Sequence, residues 1–440
     1  MSTIYALSSA PGPAGVAVVR VSGPQAGAAV RALAGKLPQA RRATLTALRT
    51  AAGELLDRGL ILWFPAPASV TGEDVAEFHV HGGRALVRAV LDALATVPGL
   101  DFAEPGDFTR RAFHNGKLDL TQVEAIADLI DAETEGQRRQ ATRQMEGALG
   151  QRLESWRQEV LRALAHVEAS IDFADDEVPA DALVAVERRV AALAEEMDDA
   201  IRDSKRSQTL RTGVRIAIVG APNVGKSSLL NALVGREAAI VSAHAGTTRD
   251  VVEVRIDLGG VPVTIADTAG LRDSHDEVEA EGIRRARAAA RDADLRIAVL
   301  DAPAWPAVDP ATIGEAGPRA VFVLNKSDVR TIPCAQVNGH PAWSLSAKTG
   351  GGIRPFVRGL TTVVSELAGE TADPGLTRDR HRDALEGCVR SLRRFQDGRT
   401  EVALRAEELR LASRSLGRIT GRVDVEDLLE VVFRDFCIGK

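Results

Sequence analysis

The tightest constraint on this chain is an eight-residue stretch, Gly220-Ala-Pro-Asn-Val-Gly-Lys-Ser227. The apolar run RIAIVG (215–220) leads into it and SLLNALVG (228–235) leaves it. A glycine-rich loop therefore joins a predicted strand to a predicted helix, the GxxxxGK[ST] pattern in the context it requires. The glycines let backbone N–H groups wrap phosphates, and the helix N-terminus adds its positive end. Lys226 brings a compact charge to β/γ-phosphates, and the Ser227 hydroxyl suits Mg²⁺.

Four further motifs follow in order. VTIADTAG (263–270) is a predicted strand ending in Asp267-Thr268-Ala269-Gly270. Asp267 suits Mg²⁺ held through water, and the Gly270 N–H suits a γ-phosphate. VFVLNKSD (321–328) ends in Asn325-Lys326-Ser327-Asp328. A carboxylate there accepts from both N1–H and the N2 amine of guanine, a donor pair adenine lacks. Ser346-Ala347-Lys348 follows another short apolar segment, where a backbone N–H suits the guanine O6. Gly246-Thr247-Thr248-Arg249-Asp250 lies between the first two motifs as a switch candidate, with Thr248 directed to Mg²⁺. The set predicts a GTP-binding α/β domain.

Two departures from Ras-type sites stand out. Leu271 occupies the place of the glutamine that orients water there. Arg249 is the one nearby arginine-finger candidate, weak in so arginine-rich a chain. Asn223 admits two readings, a side-chain ligand for a monovalent cation beside the phosphates or a loop-shaping asparagine. The acidic run RDSHDEVEAEG either starts a helix favoured by its dipole or holds a water-positioning acid.

Around this domain the pattern changes. Residues 1 to about 116 read as α+β, with strands expected at 16–23, 59–67 and 73–83 and a helix at 85–97. Apolar residues at three- and four-residue spacing over about 118–173 and 181–206 predict long packed helices, which resume from 376 to 435. The Pro/Ala-rich stretch 302–318 reads as a loop. A helical domain interrupted by an inserted α/β domain explains this order, because insertion suits a guest whose termini lie close together. The boundaries read as 1–117, 118–212, 213–370 and 371–440.

The 440 residues carry a net charge of −6, which excludes coating of nucleic acid by bulk charge. Any RNA contact must be local. The arginine-rich stretches 378–399 and 405–422 serve either as phosphate contacts or as solvated helix faces. Cys334, Cys388 and Cys437 form no CxxC pair, which argues against a zinc ribbon or a disulfide framework. No signal peptide or long uncharged apolar run is legible, so a cytoplasmic location without membrane contact is expected. His79 and His81 lack a third ligand for a metal. Of 55 Lys and Arg residues only seven are lysines: Lys36, Lys117, Lys205, Lys226, Lys326, Lys348 and Lys440. A lysine surviving such a bias marks places where a planar guanidinium cannot substitute.

The segments GAPNVGKSSLLNAL, AGTTRDVVE, DTAGLRDSHDEVEAEGI and NKSD resemble translation-factor-like GTPases. With TGEDVAEFHVHGG, AEPGDFTRRAFHNGKLDLTQVEAIADLIDAET and the terminal FCIGK, the whole chain resembles the MnmE (TrmE) family of tRNA modification GTPases. The resemblance implies an N-terminal folate-binding, dimerising domain, a discontinuous helical domain and an inserted Ras-like G domain. It implies a homodimer acting with an FAD- and NADH-using MnmG-like partner, two copies of each, on C5 of the wobble uridine of certain tRNAs. The one-carbon unit would come from 5-formyl- or 5,10-methylene-tetrahydrofolate. GTP hydrolysis would require Mg²⁺ and K⁺ and be stimulated when two G domains meet.

By the same resemblance Asn223, Ser242, His244 and Thr247 match the potassium site, although the family has Thr and Ile where this chain has Ser242 and His244. Ala243, Ala245 and Gly246 share that loop against the nucleotide, as do Val224, Gly225 and Ser228 in the phosphate loop. Glu279 matches the acid that positions the attacking water. Arg20, Glu77, Lys117 and Lys440 match folate contacts, and Cys437 matches a cysteine of suspected reactivity, against which simple packing beside Phe436 stands. A GTP-dependent RNA-binding or ribosome-assembly switch is the rival reading. A folate enzyme that uses GTP only for regulation is a weaker one.

Overall fold

The computed structural model describes residues 2–172, 180–235, 253–267, 291–369, 375–397 and 401–423, with 429, 432, 433, 436 and 439. Two compact units emerge. One comprises residues 1–127, 145–159 and 413–440, the other 128–144 and 160–412.

The first unit is built on six strands: β1 (Thr3–Leu7), β2 (Ala14–Ser22), β3 (Thr44–Arg49), β4 (Leu55–Phe64), β5 (Val75–Gly82) and β6 (Leu100–Phe102). Their order is β3-β4-β5-β2-β1-β6, antiparallel except for the β1–β6 pair. Burial alternates along β2 and β4, as expected for strands with one covered face. Val19, Val21, Ile61 and Phe78 project from the sheet into a core closed by Ala29, Val30 and Leu33 of α1 (Ala26–Ala34) and by Val90 and Leu94 of α2 (Arg84–Ala95). Each such aliphatic side chain contributes about 1.5–3 kcal/mol by leaving water. Then come α3 (Asp107–His114) and α4 (Leu120–Ile130). Leu120 and Val123 of α4 form a second core with Leu429, Phe433 and Phe436.

The long helical stretch is segmented into α4, α5 (Glu135–Met145), α6 (Ala148–Asp172) and α7 (Ala180–Thr212). Gly147, at φ 88°, separates α5 from α6 in a conformation that side-chain-bearing residues avoid. Before α5, Gln137 folds back so that Oε1 accepts from the Glu133 and Thr134 N–H groups at 2.9 and 3.2 Å. The Gln137 N–H donates back to Thr134 Oγ1 at 3.4 Å, a capping box that starts α5 as a new helix.

The second unit carries a seven-stranded sheet. Its elements are β7 (Val214–Val219), α8 (Lys226–Val234), β8 (Glu253–Leu258), β9 (Val261–Asp267), β10 (Leu295–Asp301), α9 (Pro310–Ala316), β11 (Ala320–Asn325), β12 (Ala335–Val337), β13 (His340–Ser344) and α10 (Ile353–Ala368). Strand order is β12-β13-β11-β10-β7-β9-β8, with β13, β11, β10, β7 and β9 parallel. β7 is a nearly continuous apolar run because both faces are covered. On one face Ile216 and Ile218 pack with Leu229 and Leu233 of α8 and Phe356 and Leu360 of α10. The 302–318 stretch is not all loop: Asp309 caps α9 by accepting from the Ala311 and Thr312 N–H groups, both at 3.2 Å. Asp before Pro at the first helical position was the signal for it. Two more helices are α11 (Asp379–Phe395) and α12 (Val402–Thr420). In the helical layer Cys388 of α11 lies fully buried, its sulfur 3.6 Å from that of Met197 on α7.

Candidate functional site

The carboxyl ends of β7, β9, β10 and β11 come together, the place where parallel sheets bind ligands. After β7 the chain turns through Gly220, where a Cβ would lie 2.5 Å from the Val299 carbonyl oxygen, and enters α8 at Gly225, φ 96°. Asn223 stands between them at φ 64°, a left-handed conformation that asparagine tolerates better than most residues. Lys226 is buried, and its ammonium donates to the Gly220 and Ala221 carbonyls at 2.8 and 3.0 Å. Asp267 ends β9 in register with Ile218, one strand over from the phosphate loop.

Asn325 joins this loop to the base loops. Its Nδ2 donates to the Val224 carbonyl at 2.7 Å, and its Oδ1 accepts from the Ala347 N–H at 2.9 Å. The side chain is buried. A Cβ on Gly225 would meet Asn325 Nδ2 at 2.3 Å, so glycine is required there by proximity as well as by φ. Leu345 N–H donates to the Leu324 carbonyl and Ser327 N–H to the Leu345 carbonyl, each at 3.0 Å, which fixes the two base loops side by side. Asp328 is held ionised below the usual carboxylate range, chiefly by the Ser346 hydroxyl and further by the Lys348 charge.

Asn223, Gly225, Ser228, Asn325, Lys326, Asp328, Ser346, Ala347 and Lys348 line one cavity of about 680 Å³. Asn231 and Ala232 also line it. Sequence reasoning missed them, though Asn231 follows Ser228 by three residues and so shares its helix face. Ser242, Ala243, His244, Ala245, Gly246, Thr247, Thr248, Thr268, Ala269, Gly270, Glu279, Cys437 and Lys440 lie outside the described residues, as does the Asp267 side chain.

In the first unit Arg20 and Glu77 are cross-strand partners on β2 and β5. The guanidinium meets Glu77 Oε1 at 2.9–3.0 Å and lies 5.7 Å over the Phe108 ring. Glu77 Oε2 also meets His79 Nε2 at 3.3 Å, whereas His81 pairs with Asp57 at 2.9 Å. Among the described residues no cluster of three or more His, Cys, Asp or Glu side chains is placed to hold a metal. Lys117 follows α3 and is exposed; its stem passes the backbone at Gly72. The neighbouring turn is fixed by Glu73, which accepts from Arg111 at 2.8 Å and from Ser22 at 2.9 Å. The C-terminal segment crosses the same unit. The Arg110 guanidinium lies 5.1 Å over the Phe433 ring, and the Gly439 carbonyl accepts from Ser8 Oγ at 2.8 Å. Ser8 follows β1, whose Ala6 is in register with Arg20.

Several helix arginines of 378–422 are engaged by acids, such as Arg382 by Asp379, Arg394 by Glu408 and Arg410 by Glu168. Cys388 is inert by position, burial pushing its thiol up to about 12, while Cys334 is exposed. No described helix is long and apolar enough to cross a membrane.

A phosphate loop between a parallel strand and a helix, with base loops at neighbouring strand ends, defines a P-loop GTP-binding enzyme. Family models for the "MnmE helical domain" and the "GTP-binding protein TrmE N-terminus" match residues 120–437 and 3–117. The chain is 55% identical to the tRNA modification GTPase MnmE of Paramagnetospirillum magneticum, covering 100% of this chain and 99% of that one. It is 56% identical to the MnmE of Parvibaculum lavamentivorans, with both chains covered in full. It is 48% identical to a mitochondrial 5-taurinomethyluridine-[tRNA] synthase subunit of Danio rerio, covering 100% of this chain and 93% of that one. The chain belongs to the MnmE family: it is a GTP hydrolase that acts in tRNA modification.

Proposed function

We propose that this enzyme couples potassium-dependent GTP hydrolysis to folate-dependent modification of the wobble uridine of tRNA. The observation that carries the nucleotide part is the Asn325 bridge, which holds the phosphate loop and base loops around one cavity. The phosphates lie along the backbone from Asn223 to Ser228, with Lys226 leaving the Gly220 and Ala221 carbonyls for the β/γ oxygens. Asp328 takes the guanine N1–H and amine, and the Ala347 backbone faces O6. Ser227, Thr248 and Asp267 offer hard oxygen donors that suit Mg²⁺, the aspartate through water. Asn223, Ser242, His244 and Thr247 form the potassium site, and the left-handed Asn223 on the cavity wall supports that reading. Bound Mg²⁺ and K⁺ would supply positive charge where negative charge builds up on the transferring phosphoryl group. Glu279 positions the attacking water, and two G domains meet across a homodimer.

Arg20, Glu77, Lys117 and Lys440 form the folate site, cations for the glutamate carboxylates and Glu77 for the pterin edge. The Ser8–Gly439 contact supports this, since Gly439 adjoins Lys440 in sequence. The folate supplies the one-carbon unit, and an FAD- and NADH-using MnmG-like partner completes the reaction on C5 of uridine 34, two copies of each protein acting together in the cytoplasm. The word "subunit" in the zebrafish relative's name supports a partnered enzyme.

Four measurements test this reading. GTP turnover is expected to be much faster in K⁺ than in Na⁺, with Asn223→Ala removing the difference; equal wild-type rates in both salts sink the potassium site. Glu279→Ala is expected to abolish hydrolysis while keeping GTP bound. Titration with 5-formyltetrahydrofolate separates this enzyme from a GTP-dependent RNA switch, which would not bind it. Mass analysis of wobble uridines in a strain lacking the gene then tests the whole proposal.

A further inference from the structure

Asp301 is the last residue of β10, and the parallel ladder places it in register with Asn325, the last residue of β11. The next residue, Lys326, sits at φ 67°, where an unbranched but long side chain is held against its backbone preference. Its ammonium lies 3.2 Å from Asp301 Oδ2. The other carboxylate oxygen, Oδ1, is buried and has no hydrogen-bond partner among the described residues. A second tie joins the same two strand exits. Arg330, four residues beyond Lys326, donates to the Trp305 and Pro303 carbonyls at 2.6 and 3.2 Å.

Lys326 lines the cavity and Asp301 does not. A lysine stem has four rotatable bonds, so a free Lys326 would sweep many conformers and lose them on binding. With its ammonium anchored, the methylene stem becomes a fixed wall for a planar base.

We infer that Asp301 is a positioning residue for base recognition: it acts through Lys326, fixing that side chain against the guanine of the bound nucleotide. The inference rests on the nucleotide reading of the cavity. It separates two tasks among the acids of this region. Asp328 reads the base edge, and Asp301 orders the side chain that flanks the base.

The test is dissociation of fluorescent mant-GDP from the full-length wild-type protein, Asp301→Ala, Asp301→Asn, Lys326→Ala and the Asp301→Ala/Lys326→Ala double variant. The Asp301–Lys326 pair is about one-third exposed, so Asp301→Ala is expected to speed release by about three- to fivefold. Asp301→Asn, whose amide oxygen still accepts from the ammonium, recovers part of that loss. In the double variant Asp301→Ala adds nothing to Lys326→Ala, because its effect is already spent. In Asp301→Ala, KM for GTP rises with the release rate while kcat at saturation and the melting temperature stay put. Wild-type release rates in Asp301→Ala overturn the inference, as do multiplicative effects in the double variant. So does a loss of kcat with a lowered melting temperature, the signature of a merely structural aspartate. Wild-type protein that holds mant-ADP as firmly as mant-GDP would instead overturn the guanine reading beneath it.

Discussion

Arg20 and Glu77 face each other from within neighbouring strands, their separation set by the sheet's ladder. In the seven-stranded sheet the working residues stand where strands end, and much of the chemistry belongs to backbone. Gly220, Asn223, Gly225 and Lys326 all hold positive φ there. A face-built site keeps its frame when a side chain is exchanged, because the ladder's hydrogen bonds do not involve side chains. An end-built site has its frame made of the same residues that bind. The two regions should therefore fail differently under mutation.

Gly225→Ala should do the most damage. Its new Cβ meets Asn325 Nδ2 at 2.3 Å on a backbone at φ 96°, so a cost of about 2–4 kcal/mol is expected together with loss of nucleotide binding. Thermal unfolding and mant-GTP titration check both, and folate binding should survive. Near-normal nucleotide binding would break the contrast outright. Asn325→Ala comes next. It strands the Val224 carbonyl and the Ala347 N–H, at about 1–3 kcal/mol for each group left unpaired, and GTP affinity should fall with stability. Asn325→Asp keeps the acceptor but turns a carboxylate oxygen toward the Val224 carbonyl, and should cost at least as much.

Arg20→Ala should behave oppositely. Its pair with Glu77 is partly exposed, so stability should change by no more than about 1 kcal/mol. Binding of 5-formyltetrahydrofolate should nevertheless weaken about tenfold through the lost charge-assisted bond, with mant-GTP binding intact. Lys117→Arg should weaken folate binding too, whereas Lys36→Arg should leave it unchanged. The smallest effect is a shift with pH. The Ser346 hydroxyl lowers the Asp328 pKa, so the ionised form proposed to read guanine persists as pH falls. Ser346→Ala raises that pKa, and GDP affinity should be lost at a higher pH than in the wild type. Affinity measured from pH 8 to pH 4 shows whether the loss moves upward.

The same contrast explains what could be read before any coordinates. The phosphate loop is contiguous and bounded by a strand and a helix, so its glycines and Lys226 were legible at once. The strands at 16–23, 59–67 and 73–83 were legible from β-branched and aromatic residues running up to turns, and the structure has them at 14–22, 55–64 and 75–82. Legibility failed where partners are distant. Asn325 was read as a base-loop residue, yet Val224 lies 101 residues away. Gly439 and Ser8 are 431 residues apart, and no local periodicity joins them. Nothing local marks Glu73 and Arg111 as partners, because pairing across a fold leaves no spacing signal. Lysine scarcity marks Lys117 by a route independent of the resemblance. Lys36 and Lys205, the two lysines without an assignment, are both exposed.

The Asn325 bridge has a thermodynamic consequence for how a nucleotide divides its binding energy. One amide ties the phosphate loop to the base loops, so most of their ordering entropy is lost when the chain folds rather than when ligand arrives. Guanosine and pyrophosphate offered separately should each find a cradle already at the spacing of the whole ligand. Joining them then adds the advantage of a chelate without the cost of rearranging the protein, and cutting the amide should make the two halves of the nucleotide bind as strangers.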